Sequence, residues 1–264
     1  MYSSNLHWRK KLLAIALAIA TGVLIILTQV QLSTAEPIDD QKLPLLQPHP
    51  LPQTLAQWQD PNRSGDYFEQ VKPTPLGYLV WSNFPVKVYV EGYTTDRFPD
   101  SSSTLPSHRR LQQWVEAVLS IVEEWQVYLP LAIVEEGENA DISILRSSPP
   151  LRPSIDRKTG KVELPPARSA EARYEFYIQR SAENTPVLSH CFKILISPDL
   201  RVESIKAASR HELGHALGIW GHSSVPTDAL YVSQVADPPL ISSRDINTLK
   251  QVYQQPTRLG WALP

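Results

Sequence analysis

Sulfur is nearly absent from this 264-residue chain, which holds one cysteine, Cys191, and one methionine, Met1. A lone cysteine cannot close an intramolecular disulfide, so the fold does not rest on the disulfide frame of many small secreted domains. An excess of one charge is lacking too. Lys and Arg number 25 against 27 Asp and Glu, a formal net charge of -2. With no dense basic run beyond the N-terminus, nothing marks the chain for nucleic acid. Glutamate is missing altogether from Leu213 to Pro264, an absence that matters below.

Hydrophobic residues make up 42% of the chain, enough at this length to bury one substantial core. Proline, at 24 residues, clusters in 37–75 and 149–166, where it marks linkers or loops. Arg9, Lys10 and Lys11 precede an apolar run from Leu12 to Leu27, and Ser33, Thr34 and Ala35 offer a small-residue cleavage position. These are the parts of a secretory signal. The run falls short of the roughly 20 residues that span a bilayer, but continuing it to Val30 nearly reaches that length. Residues 1–35 are therefore expected to be a signal peptide or a membrane anchor. Either one places the folded part outside the cytoplasm, secreted, periplasmic or membrane-attached. Residues 36–77 lack a sustained period and read as a Pro-rich spacer or short pro-segment, leaving 78–264 as the catalytic domain.

Val86, Val88 and Val90 alternate with polar neighbours as a half-buried strand does. Leu111, Trp114, Val115, Val118, Leu119, Val122 and Trp125 recur at steps of three and four, predicting a helix over about 109–127. Further strands are expected at Leu131 to Val134, Ile142 to Leu145, Tyr174 to Ile178 and Cys191 to Ile196, with Cys191 a buried small side chain. A Pro-rich loop separates the second and third of these. Pro198 and Asp199 can open the next helix, and Ser242 with Asp245 forms a capping-box pattern for a last one.

The helix after Asp199 carries His211, Glu212 and His215. Histidines four apart project from one helical face at about 5 to 6 Å, so both imidazoles can hold one Zn2+ ion. Glu212 lies between them, placed to act as general base on the metal's water without ligating it. Gly218 can end the helix in a backbone conformation that reverses the chain, letting His222 return as third ligand. Three histidines and a water give the open site of catalytic zinc. A third ligand from a later glutamate is excluded because none follows Glu212, while Asp228, Asp237 and Asp245 remain candidate ligands. Tyr231 could assist by hydrogen bonding but reads first as packing, and His190 reads as a strand-end residue.

The run from His211 to His222 resembles the metzincins, and among them the matrixin-like peptidases. Ala229, Leu230 and Tyr231, then Ser243 to Ile246 with Val252 and Tyr253, and upstream Ala140 to Ile144, extend the likeness over about 78–256. The resemblance implies an α+β, metzincin-like zincin fold. Its parts would be a twisted, mostly parallel five-stranded sheet with one antiparallel edge strand above the zinc, an active-site helix, a packing helix and a C-terminal helix. It further implies a zinc metalloendopeptidase, a monomer that hydrolyses polypeptides. Three departures stand out. Four residues rather than three separate Gly218 from His222, with Gly221 available to absorb the extra one as a bulge. Leu230 occupies the place of the family's methionine beneath the zinc, keeping an apolar floor. The Pro-rich loop has no histidine to hold a second, structural zinc. The alternative reading is a catalytically silent module that keeps the fold and binds peptides or a partner.

Overall fold

A computed structural model describes residues 42–94, 105–155, 159–163, 168–181, 183–233 and 237–264. The expected signal or anchor at 1–35, and parts of the spacer and Pro-rich loop, lie outside the described residues. Among the described residues no helix is long and apolar enough to cross a membrane.

The protein is a mixed α+β fold built on a five-stranded, mostly parallel sheet. Its strands are β1 (Val86–Val90), β2 (Leu131–Val134), β3 (Ile142–Leu145), β6 (Ala170–Arg180) and β7 (Pro186–Ile196), in the order β2-β1-β3-β7-β6. β1 pairs in parallel with β2 and β3, and β3 with β7, whereas β6 runs antiparallel to β7 and forms an edge. A separate two-stranded ladder, β4 (Ser154–Ile155) with β5 (Val162–Glu163), lies in the Pro-rich loop. The alternation in β1 works as expected: Val86, Val88 and Val90 are fully buried and Lys87 is exposed.

Among the described residues four helices accompany the sheet: α1 (Gln53–Gln57), α2 (Pro106–Gln126), α3 (Val202–Ala216) and α4 (Ser243–Tyr253). α2 buries Trp114, Val115, Val118, Ile121, Val122 and Trp125 on one face, the stripe its spacing predicts. The Trp125 indole donates to the Arg210 carbonyl of α3 at 3.1 Å, and Glu124 accepts two bonds from the buried Arg210 guanidinium at 2.6 and 2.8 Å. α3 starts at Val202, so Pro198 and Asp199 belong to the preceding turn. α4 carries the expected capping box between Ser242 and Asp245.

Three expectations need correction. Both strands of the β6/β7 hairpin are longer than their apolar runs: β6 is an edge whose Arg173, Glu175 and Gln179 need no buried face, and β7 begins at Pro186, ahead of the residues that pair with β3. Cys191 on β7 is only half-buried. Residues 42–77 are not a free spacer: they belong to the same compact unit as the rest of the described chain. Leu55, Tyr67, Val71 and Leu76 are buried in the core. Gln47 and Thr257 exchange backbone hydrogen bonds at 3.2 and 3.1 Å, His49 stacks on Trp261, and the His49 Nε2 bonds the Leu259 carbonyl at 2.7 Å. Lys250 Nζ, Asn247 and Arg244 of α4 also bond atoms of residues 58–66. These ties come from scattered residues without a period, which is why no sequence pattern announces them.

Truncating a fully buried leucine of this segment, Leu55→Ala, is expected to destabilise the whole domain by about 2–5 kcal/mol in chemical denaturation. A change below about 0.5 kcal/mol would place the segment outside the cooperative unit.

Candidate metal centre

α3 presents His211 and His215 on one face, and the chain then turns back through two glycines with distinct roles. Gly218 has φ +130°, and a Cβ there would lie 2.7 Å from the Leu79 carbonyl oxygen. No other residue fits that position without backbone movement. Beyond it, Trp220 N donates to Gly218 O and Gly221 N to Ile219 O, both at 2.9 Å. The stretch between Gly218 and His222 is thus taken up by two successive tight turns rather than by a bulge between paired strands. Gly221 is their tightest point, since a Cβ there would meet the Gln70 carbonyl oxygen at 2.3 Å.

His222 returns to the helix face. His215 Nε2 lies 3.1 Å from His211 Nε2 and 3.2 Å from His222 Nε2. Two nitrogens each about 2.0–2.1 Å from a tetrahedral zinc stand about 3.3 Å apart, so the spacing fits a shared ion. The tautomers fit as well. His211 Nδ1 faces the Ala229 carbonyl at 3.0 Å and His215 Nδ1 the Ile219 carbonyl at 2.7 Å. Each Nδ1 must carry the proton to donate there, which leaves both Nε2 atoms as bare lone pairs aimed at one point. Burial holds His211 down to about 4 and His215 well below its ordinary value, with neighbouring imidazoles adding to both; burial lowers the exposed His222 too. Neutral imidazoles are what a cation requires. Among the described residues these three form the only group of His, Cys, Asp or Glu side chains placed to hold one metal ion.

The candidate aspartates do not join them. Asp228 is fully buried and bound to Ser223, Ser242 and Arg244. Asp245, also buried, accepts the Ala229 and Ser242 amides at 2.9 and 2.7 Å and the Tyr67 hydroxyl. Asp237 is exposed. Leu230 is fully buried beneath α3, where a Cβ on Gly214 would lie 2.6 Å from its Cδ2, so an apolar floor presses on the helix between the two histidines.

Glu212 lines a cavity of about 410 Å³ with His211, Ala170, Ala208, Tyr231 and Pro239. Burial pushes its carboxyl up to about 7, offset in part by the Ala172 amide of β6, which donates to it. A nearby divalent cation would draw that value down. Tyr231 borders this cavity as well as the core, a position its sequence context does not distinguish. Sequence reading also missed the backbone groups that finish the site, the carbonyls of Ala229 and Ile219 and the amide of Ala172, because main-chain atoms carry no residue signature. Protein-family models gave no match to this chain, and neither did the curated proteins.

His190 stands apart from the cluster, buried in the middle of β7 against Trp81 with ring centroids 3.9 Å apart. Its Nε2 has no hydrogen-bond partner among the described residues, and burial lowers it to about 3. An unfolded histidine takes up a proton near pH 6.5, whereas the native one refuses it down to about 3, so stability falls with pH across that window. The loss attributable to His190 is expected at about 1.4 kcal/mol per pH unit below 6.5. Denaturation of the wild type and His190→Phe at pH 7 and pH 5 checks this, and equal pH slopes would refute it.

For the cluster itself, the full chain is expected to retain about one equivalent of zinc after dialysis, and His215→Ala to lose it. Metal analysis decides, and undiminished zinc in the variant would place the ion elsewhere.

Proposed function

We propose that this protein is an exported zinc-dependent peptidase of the metzincin type, hydrolysing peptide bonds in polypeptides outside the cytoplasm. The observation that carries the proposal is the convergence of three imidazole Nε2 atoms at 3.1 and 3.2 Å beside a cavity lined by Glu212. A closed structural zinc site would use a fourth protein ligand, and none stands within reach among the described residues. Bound at the three nitrogens, zinc would supply Lewis acidity, polarising a carbonyl and lowering the pKa of a coordinated water toward about 7.

The rest of the chemistry falls to the chain. Glu212, the neighbour of a ligand and not a ligand itself, accepts the proton of the attacking water and delivers it to the departing amine. The Ala172 amide orients that carboxylate. β6 ends the sheet, and its outer edge pairs with no other strand among the described residues, so an extended peptide could add there; Ser169 and Ala170 at its start line the Glu212 cavity. A substrate added there as a further strand would pass over the histidines. The sheet order with its single antiparallel edge, the helix bearing the first two histidines and the Leu230 floor all support a zincin fold.

The alternative is a catalytically silent module, which an extra residue before His222 would favour if it carried that ring away from the other two. The two tight turns leave His222 Nε2 at 3.2 Å from His215 Nε2, which supports the hydrolytic reading. Replacing Glu212 with Gln is expected to leave bound zinc intact while lowering kcat on an unstructured protein by about 10²–10⁴-fold. Wild-type rates in that variant would remove Glu212 from the mechanism. A zinc-loaded wild type that cleaves no unstructured protein would leave the peptide-binding module as the better description.

A further inference from the structure

A second cavity, of about 600 Å³, lies on the other side of the histidine cluster. It is lined by His215 and His222 and shares Val232 with the cavity of Glu212. Its outer wall comes from the segment expected to be a spacer, through Gln70 and Lys72. Lys72 is the only charged side chain among the described residues that line it. Lys72 is exposed and makes no ion pair with the described acidic residues, and Asp66 and Glu69, the carboxylates nearest in sequence, do not line the cavity.

The backbone of Lys72 is not free to wander. Its amide donates to the Trp220 carbonyl at 3.2 Å, two residues before His222. Next to it, Gly221 sits so close to Gln70 that no side chain could come between them. Trp220 in turn packs its ring against Tyr174, His215 and Phe192, at centroid distances of 5.0, 5.5 and 6.1 Å. The extra residue before His222 thus serves as the attachment point for a strand of chain that delivers one cation to the rim of the site. With a metal dication held by neutral histidines on the opposite wall, both fixed charges facing this cavity are positive.

We propose that Lys72 is a specificity-determining residue which selects polypeptide substrates carrying an acidic side chain, Asp or Glu, at the position that enters the His222-side cavity. The inference rests on the peptidase reading and names the substrate class for the same site. A carboxylate there pairs with Lys72 at the partly solvated rim, worth a few-fold in affinity, and a substrate lysine is repelled.

The test uses the full chain loaded with zinc and a set of octapeptides in which Glu, Gln or Lys is moved through each position. In cleavage assays one position is expected to show Glu preferred over Gln by about fivefold in kcat/KM, with Lys poorer still. The preference should shrink as salt rises. Lys72→Glu is expected to reverse the order at that position and Lys72→Gln to level it, both variants still carrying about one zinc equivalent. The same peptides, fluorescently labelled, are titrated onto zinc-loaded Glu212→Ala protein and read by anisotropy, so that binding is scored apart from hydrolysis. If nothing is cleaved but the Glu peptide binds best and Lys72→Glu inverts that ranking, the hydrolytic reading falls and Lys72 keeps its role. Cleavage or binding with no acidic preference at any position, or a preference that survives Lys72→Glu, overturns the proposal.

Discussion

Three neutral imidazole nitrogens do not gather at hydrogen-bond distance of their own accord. Their lone pairs repel, so the arrangement needs a cation between them, a rigid frame around them, or both. The frame is visible at every level. Carbonyls of Ala229 and Ile219 fix two of the rings by their far nitrogens. Gly218 permits the reversal that brings back the third. Behind the helix, the Arg210 to Glu124 pair and the Trp125 indole lock α3 against α2. Loss of Glu124 would leave the buried Arg210 charge uncompensated one residue from His211.

The position of His222 depends on a more distant set of contacts. Ser223, next to His222, bonds Asp228, which also holds Arg244 at 3.0 Å, and Arg244 reaches back to the carbonyls of Ser64 and Asp66. Asp245 meanwhile joins the α4 cap, the Ala229 amide and Tyr67. Two carboxylates that the sequence offers as possible metal ligands therefore act as buried hubs that tie the loop after α3, the start of α4 and the N-terminal segment to each other. The carboxylates serve the cluster without touching it.

How much of this was legible from residues alone depends on the kind of atom involved. β2 and β3 match their apolar runs residue for residue, and β1 sits within its own: β1 and β3 carry the alternation of a strand with one buried face, and β2 is a short unbroken apolar run. β6 was under-read because an edge strand has no need of a buried face, and β7 because its alternation of buried residues runs through His190, which does not look like a core residue. α3 was read several residues too early, since Pro198 and Asp199 favour a turn as readily as a helix start. The segment 42–77 was misjudged for a different reason: Leu55, Tyr67, Val71 and Leu76 are each buried by partners far away in sequence, and such burial leaves no local pattern. Within the site, His211, Glu212, His215 and His222 were identifiable because side-chain chemistry at fixed spacing is a sequence property. Lys72 was not, for its place beside His222 exists only through a main-chain bond to Trp220.

The clasp near the ends of the described chain has a mechanical meaning. Gln47 is laddered to Thr257, and His49 is stacked on Trp261 and bonded to Leu259, while the same C-terminal stretch hydrogen-bonds Leu188 on β7. A pull on the chain at Lys42 would meet this seam of bonds before any residue from Asp60 to Lys72, and would pass into β7 through Leu188. The stretch from Asp60 to Lys72, which shapes the wall beside His222, lies behind the seam and is spared. A tether could thus strain at its point of entry without disturbing the alignment of the three histidines.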